Sequence, residues 1–206
     1  MSSTITFIII GLTAITSYGA FQNQDLMGRL LFWPYRMQRG QEAWRFLTHG
    51  LVHADFQHLL FNMLTLYFFG RNIEAMFEGL FGTVWAYPLF YASALLASAL
   101  PSYAKYRNQP GYRALGASGA VSAVLFATIV FDPWQTLLLN FFIPVPAILF
   151  AVGYVWYSHR MSQQAQDHIG HDAHLWGAVY GFLFPLLLKP AILPYFWKQL
   201  LHPHFF

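Results

Sequence analysis

The sequence predicts an all-α, polytopic membrane bundle, and three observations carry that expectation. Apolar residues make up 57% of the 206-residue chain and charged residues only 9%. An ordinary soluble domain carries roughly 25% charged residues, so too few are present here to cover a water-facing surface. The mean hydropathy is +0.42. The apolar residues also gather into runs of roughly 20, long enough to cross a bilayer as helix, with every backbone group satisfied inside the segment. Six such spans fit, in a single membrane domain over residues 1–206 with no separate soluble domain.

Each span has its own justification. The first lies at about 4–22. No Lys or Arg precedes its Ile5–Ile15 run, whereas a cleaved signal peptide starts basic, so it reads as a retained span. The following loop mixes Trp33, Tyr35 and Trp44 with Arg29, Arg36, Arg39 and Arg45, the composition of a segment lying at the headgroups. Span 2, at about 56–76, carries His58, Asn62, Tyr67, Gly70 and Glu74 near i+4 steps and so on one face. Lipid offers polar side chains no partner, so that face turns inward.

Span 3, at about 82–100, ends at Pro101, and its Ser93/Ala97 and Ala94/Ser98 pairs are small-residue packing positions. Span 4, at about 116–131, opens on Gly116-Ala117-Ser118-Gly119-Ala120 and stops at Asp132-Pro133. Span 5, at about 136–158, is interrupted by Pro144 and Pro146, which loosen or kink it. A hydrophilic loop from His159 to Asp172 precedes span 6, at about 173–190.

Composition also excludes several classes of function. The formal net charge is only +3 with no basic tract, so the pI of 9.2 reflects scarce acids and no nucleic-acid partner is expected. Absence of cysteine rules out disulfides and thiolate chemistry. No HExxH, phosphate-loop or haem motif occurs, so neither a metal nor another cofactor is expected.

The chemistry gathers at one end. Spans 2, 4 and 6 enter from the same membrane face, and His58, Asn62, Ser118 and His174 all lie early in them. A serine at a helix start has unpaired backbone N–H groups beside its hydroxyl, which suits a nucleophile with an anion-stabilising site. In span 6, His174, Gly177 and Gly181 fall at i, i+3 and i+7, one helix face. Glycines on that face allow close backbone approach, which would press the imidazole against span 4 and the Ser118 hydroxyl. Ser122 is a second hydroxyl on the same face of span 4, and His168 and His171 are rivals to His174. Neither of those histidines precedes the Gly-xxx-Gly face by one turn. Asp172, two residues from His174, lies on another face and is left out.

These residues resemble the rhomboid family of intramembrane serine proteases. The matching elements are Trp44-Arg45, His58-Leu-Leu-Phe-Asn62, Gly116-Ala-Ser118-Gly119 and His174-xx-Gly177-xxx-Gly181, in the family's order over about residues 40–182. The resemblance implies a six-helix bundle in which Ser118 attacks the scissile carbonyl and His174 takes its proton, a dyad without an acid. It implies an oxyanion held by His58, Asn62 and the Ser118 N–H, and transmembrane proteins as substrates within the lipid bilayer. Trp44-Arg45 would belong to a structural surface loop, with Glu74, Gly116, Gly119, Gly177 and Gly181 as structural positions. Phe61 and Trp156 resemble the aromatic pair at the family's substrate gate.

Many family members carry an aromatic residue four positions after the serine, packed on the histidine. Here that position is Ser122, so another group must orient His174. The basic residues Arg29, Arg36, Arg39, Arg45, Lys105, Arg107, Arg113 and Arg160 lie on the site's side, and Arg71, Lys189 and Lys198 on the other. The positive-inside rule would turn the site toward the cytoplasm. The resemblance implies the opposite, a multi-pass protein of the cell (inner) membrane with its site toward the outer face, and that reading is adopted. The alternative function is a catalytically inactive rhomboid-like protein that binds membrane clients. A proton-coupled carrier would need ionisable residues at mid-span along a path to both faces; here they collect at one end.

Overall fold

The structure, a computed structural model, describes residues 3–139, 142–164 and 170–203. Among these the chain is predominantly helical: α1 Thr4–Gln22, α2 Gln24–Leu30, α3 Arg45–Thr48, α4 Phe56–Thr65, α5 Arg71–Phe81, α6 Ala86–Tyr106, α7 Ser118–Phe131, α8 Ala147–Gln164, α9 His171–Leu188 and α10 Ile192–Leu201. A two-stranded antiparallel sheet, β1 Thr136–Leu139 and β2 Ile143–Pro146, precedes α8. By length and composition, α1 is the one helix among the described residues that could cross a membrane alone. The α4–α5 rod and α6 pass that test only as a pair bent by 115°.

Helix α7 is the axis. Every residue from Gly119 to Val130 except Leu125 is buried, so it is apolar on all sides, as a helix enclosed by others must be. Its Ala120, Val124 and Ala127 share a core with Leu59, Phe77, Phe90 and Ala94 from α4, α5 and α6. Helix α9 lies against it so closely that a Cβ on Gly177 would collide with the Gly119 backbone, and one on Gly181 with Ala123. A Cβ on Gly119 itself would collide with the Ser98 side chain of α6. Helices α7 and α9 therefore meet almost backbone to backbone and α6 closes on them through a serine, as the small residues of spans 3, 4 and 6 predict.

Several expectations need correction. Span 2 is α4 and α5 joined by a π-helical turn, Leu66–Gly70. That wider turn takes up about one residue of register and so returns Glu74 to the side of Asn62, both buried, whereas Tyr67, five residues past Asn62, lies well round the helix and is exposed beneath Arg71; the five polar positions do not share one face. Buried Glu74 accepts the Ile5 and Thr6 N–H groups at 2.9 and 2.8 Å and the Thr6 hydroxyl at 2.6 Å, a carboxylate at the positive end of α1.

Pro101 does not end α6, which continues to Tyr106. The extra turn is held from outside, by Tyr103 against Phe46 and Tyr106 stacked on Tyr112. Nearly half of the predicted span 5, its part before Ala147, is the two-stranded sheet instead of helix. A proline restricts the residue before it to extended backbone and brings no N–H, so the pair at 144 and 146 delays α8 until Ala147, and α8 then runs past the predicted end to Gln164. The six predicted spans leave out α10, which seats Ile192 and Phe196 against Val130 of α7.

Candidate active site

The loop before α7 is built to deliver its first residue. Phe32 and Ala114 exchange backbone hydrogen bonds at 2.8 and 3.0 Å, and Trp33 Nε1 donates to the Pro110 carbonyl at 2.9 Å. These tie residues 107–117 to the first loop. That loop is fixed in turn by Arg45, 2% exposed, whose Nη1 donates to the Gly28 and Leu31 carbonyls and whose Nε pairs with Glu42. Trp44 beside it is exposed at the rim. Gly116 has φ +111°, a left-handed backbone that side chains rarely adopt. A Cβ there would lie 2.6 Å from the His58 ring, so the imidazole rests on bare backbone two residues before Ser118.

Two histidines that the motifs did not single out clamp the same loop. The Gly116 N–H donates to the His49 carbonyl at 2.9 Å, and the His49 Nδ1 lies 3.3 Å from the Gly116 carbonyl. His53 Nε2 accepts the Ala117 N–H at 3.3 Å. Its Nδ1 therefore carries the proton and donates to Ser17 at 2.9 Å, and Ser17 donates onward to the Leu51 carbonyl at 2.8 Å. Burial pushes these imidazoles down from 6.5 to about 4 for His49 and about 3 for His53, because the charged form loses its water. Both are neutral tethers. The legible signal was only that nine histidines are many for a chain with no metal motif.

Of the residues singled out in the sequence, the structure brings Ser118 and His174 together. His174 Nε2 lies 2.7 Å from Ser118 Oγ, both half-buried, with the serine the first residue of α7 and the imidazole one turn into α9. Asp172 turns away to Lys105 at 3.3 Å. His171 is buried with its ring edge-on to His174, centroids 6.0 Å apart; His168 lies outside the described residues. Ser122 is taken by another partner, its Oγ lying 2.6 Å from the Tyr154 hydroxyl of α8.

His58 and Asn62 lie on α4 beside this loop. The His58 N–H is capped by Asp55 at 2.7 Å, and Asn62 Nδ2 donates to the His58 carbonyl at 2.8 Å. Phe61 and Trp156 are exposed, 44% and 64%, on α4 and α8. A cavity of about 30 Å³ adjoins the serine, lined by Phe32, His49, Ser102, Tyr112, Gly116 and Ser118 with their neighbours.

The fold and the site thus define a class: a helical bundle around one buried central helix, with an imidazole on the hydroxyl at that helix's start. A sequence profile of the Rhomboid domain matches residues 40–191, and the chain belongs to the rhomboid family. It is 33% identical over 142 residues to RHOMBOID-like protein 12, mitochondrial, of Arabidopsis thaliana, a match covering 64% of this chain and 42% of that protein. To Rhomboid protease GlpG of Haemophilus influenzae it is 28% identical over 165 residues, 78% of each chain. To Rhomboid-related protein 1 of Caenorhabditis elegans it is 29% identical over 166 residues, 79% of this chain and 44% of that protein. The chain spans less than half the length of the plant and nematode relatives it matches.

Proposed function

We propose that this chain is an intramembrane serine endopeptidase that hydrolyses peptide bonds in or near transmembrane segments of membrane proteins, through a Ser118–His174 dyad. The observation that carries the reading is the 2.7 Å contact between His174 Nε2 and Ser118 Oγ. With its proton on Nδ1, the imidazole accepts the serine proton as Oγ bonds to the scissile carbonyl carbon. It then gives that proton to the leaving amine as the C–N bond breaks. Water opens the acyl-enzyme with the same histidine as base, and the cavity of about 30 Å³ beside the serine has room for one or two water molecules.

The carbonyl oxygen becomes an anion at attack. Its donors are the Ser118 N–H, left unpaired by the helix start, the His58 imidazole and Asn62. One hydrogen of the Asn62 amide serves the His58 carbonyl; a primary amide has two, and the second is left for substrate. Each such donor is worth roughly 2.7–4 kcal/mol of barrier. A six-span bundle is the membrane arrangement that goes with this reading. At 1.5 Å per residue the 14 residues of α7 reach only about 21 Å, short of the ~30 Å hydrocarbon core, so the serine sits sunken and accessible to water from one face. We place that face outward, with Phe61 and Trp156 flanking the substrate's lateral way in.

The purified protein in detergent is expected to cleave a model transmembrane substrate and to react with a fluorophosphonate probe at Ser118. Ser118→Ala and His174→Ala each abolish both, while Ser122→Ala stays active, slowed by no more than a few-fold; cleavage by Ser118→Ala would sink the assignment. The chain has no cysteine, so a single Gln109→Cys reports sidedness. Labelling by an impermeant maleimide from outside is expected, and labelling only from the cytoplasmic side would reverse the orientation.

A further inference from the structure

The Tyr154 ring occupies the flank of His174. Their centroids are 6.3 Å apart with planes inclined by 31°, within the range of favourable ring contacts. Its hydroxyl is anchored 2.6 Å from Ser122 Oγ, one turn below the serine, and the ring is wedged between Phe126 of α7 and Phe150 of its own helix, at 5.5 and 5.4 Å. His171 meets the His174 ring edge-on, at 6.0 Å. The imidazole is thus bounded by Tyr154, by His171 and by the Ser118 hydroxyl.

We propose that Tyr154 is the positioning residue of His174, supplied from α8 and latched by Ser122. The inference rests on the Ser118–His174 reading above. Ser122 leaves α7 without an aromatic ring one turn below the nucleophile, and α8 fills that place from the side. The orientation of the base therefore depends on a second helix. When α8 is seated on α7, His174 is held toward Ser118; a displacement of α8 removes the wall and the latch together. Assembly of the dyad is coupled to the packing of the helix that carries Trp156.

The rate at which a small fluorophosphonate labels Ser118 tests this without needing a substrate helix. Tyr154→Ala is expected to slow labelling about tenfold to a hundredfold, the scale of a misplaced catalytic group. It should lower kcat for a transmembrane substrate with little change in KM. Tyr154→Phe and Ser122→Ala each remove only the latch, so each should slow labelling a few-fold, and the double variant no further, because both delete one interaction. The exchanged pair Ser122→Tyr with Tyr154→Ser conserves volume and returns the ring from α7; labelling should recover to within a few-fold of wild type.

Wild-type labelling in Tyr154→Ala overturns the proposal while leaving the protease reading intact. So does an exchanged pair that melts like wild type yet stays as slow as Tyr154→Ala. If wild-type Ser118 itself never labels, it is the protease reading that fails.

Discussion

Helices α9 and α8 both flank α7, but they touch it in different ways. Helix α9 presents glycine to backbone, with Gly177 on Gly119 and Gly181 on Ala123. Helix α8 reaches across with long side chains, Tyr154 to Ser122 and Phe126, and leaves Leu149, Val152, Trp156 and Tyr157 exposed. Between α8 and α9 lies an apolar cleft of about 520 Å³, lined by Ala151, Val155, Ala178 and Phe182 with their neighbours. A backbone seam admits one geometry, whereas a contact made by side-chain tips can be remade after a shift. The serine and histidine sit at the seam, and Tyr154 comes to them from the side-chain contact.

The same substitution at two glycines should separate these contacts most widely. Gly177→Ala drives a methyl into the Gly119 backbone, where no flexible side chain can give way. Overpacking of that kind is expected to cost about 2–3 kcal/mol and most Ser118 labelling, read by thermal melting and probe kinetics. Around Gly153 on α8 a Cβ meets nothing within 4 Å, so Gly153→Ala should stabilise by up to about 1 kcal/mol through helix propensity and leave labelling unchanged. Equal losses at both positions would erase the distinction between seam and side-chain contact.

The loop that feeds Ser118 makes a second, pH-dependent contrast. His49 and His53 are neutral tethers held well below 6.5. Above pH 6.5 folded and unfolded forms are both neutral, and the full stability is present. As pH falls, the unfolded chain binds protons that the folded loop refuses, so stability drops by about 1.4 kcal/mol per pH unit per histidine. That window runs from about 6.5 to about 4 for His49 and about 3 for His53. Melting temperature against pH measures it, and His53→Gln, which keeps an acceptor for the Ala117 N–H, should flatten the slope. A melting temperature that is level over this window would mean the two imidazoles are charged or water-exposed.

How much of this was legible in sequence follows the same division. The seam was readable because helical spacing alone puts His174, Gly177 and Gly181 on one face, and small residues at the start of α7 leave room for them. Local chemistry could not show that a π turn would bring Glu74 back to the side of Asn62, because a register shift inside a helix leaves no mark in apolar periodicity. Nor could it separate an interrupted helix from a hairpin followed by a helix at Pro144 and Pro146. His49 and His53 act on backbone more than sixty residues away, and Tyr154 reaches Ser122 across two helices. Contacts of that range depend on tertiary placement. The departure at Ser122 was visible as a gap in a pattern; the side chain that fills it required coordinates.

The smallest expected effect is the one that best resolves α8 into two faces. Trp156 is 64% exposed and lies two residues from Tyr154, about 200° around the helix. One side chain therefore turns inward to Ser122 while the other turns out. Trp156→Ala should change stability by no more than about 0.5 kcal/mol and leave fluorophosphonate labelling of Ser118 at the wild-type rate. If its indole narrows the substrate's path, kcat/KM for a transmembrane substrate should rise a few-fold, a change of about 1 kcal/mol or less in the barrier. Tyr154→Ala gives the reverse signature, slower labelling with substrate affinity retained. Slower labelling in Trp156→Ala would show that both faces act on the dyad, and α8 would then have to be treated as one rigid wall of the site.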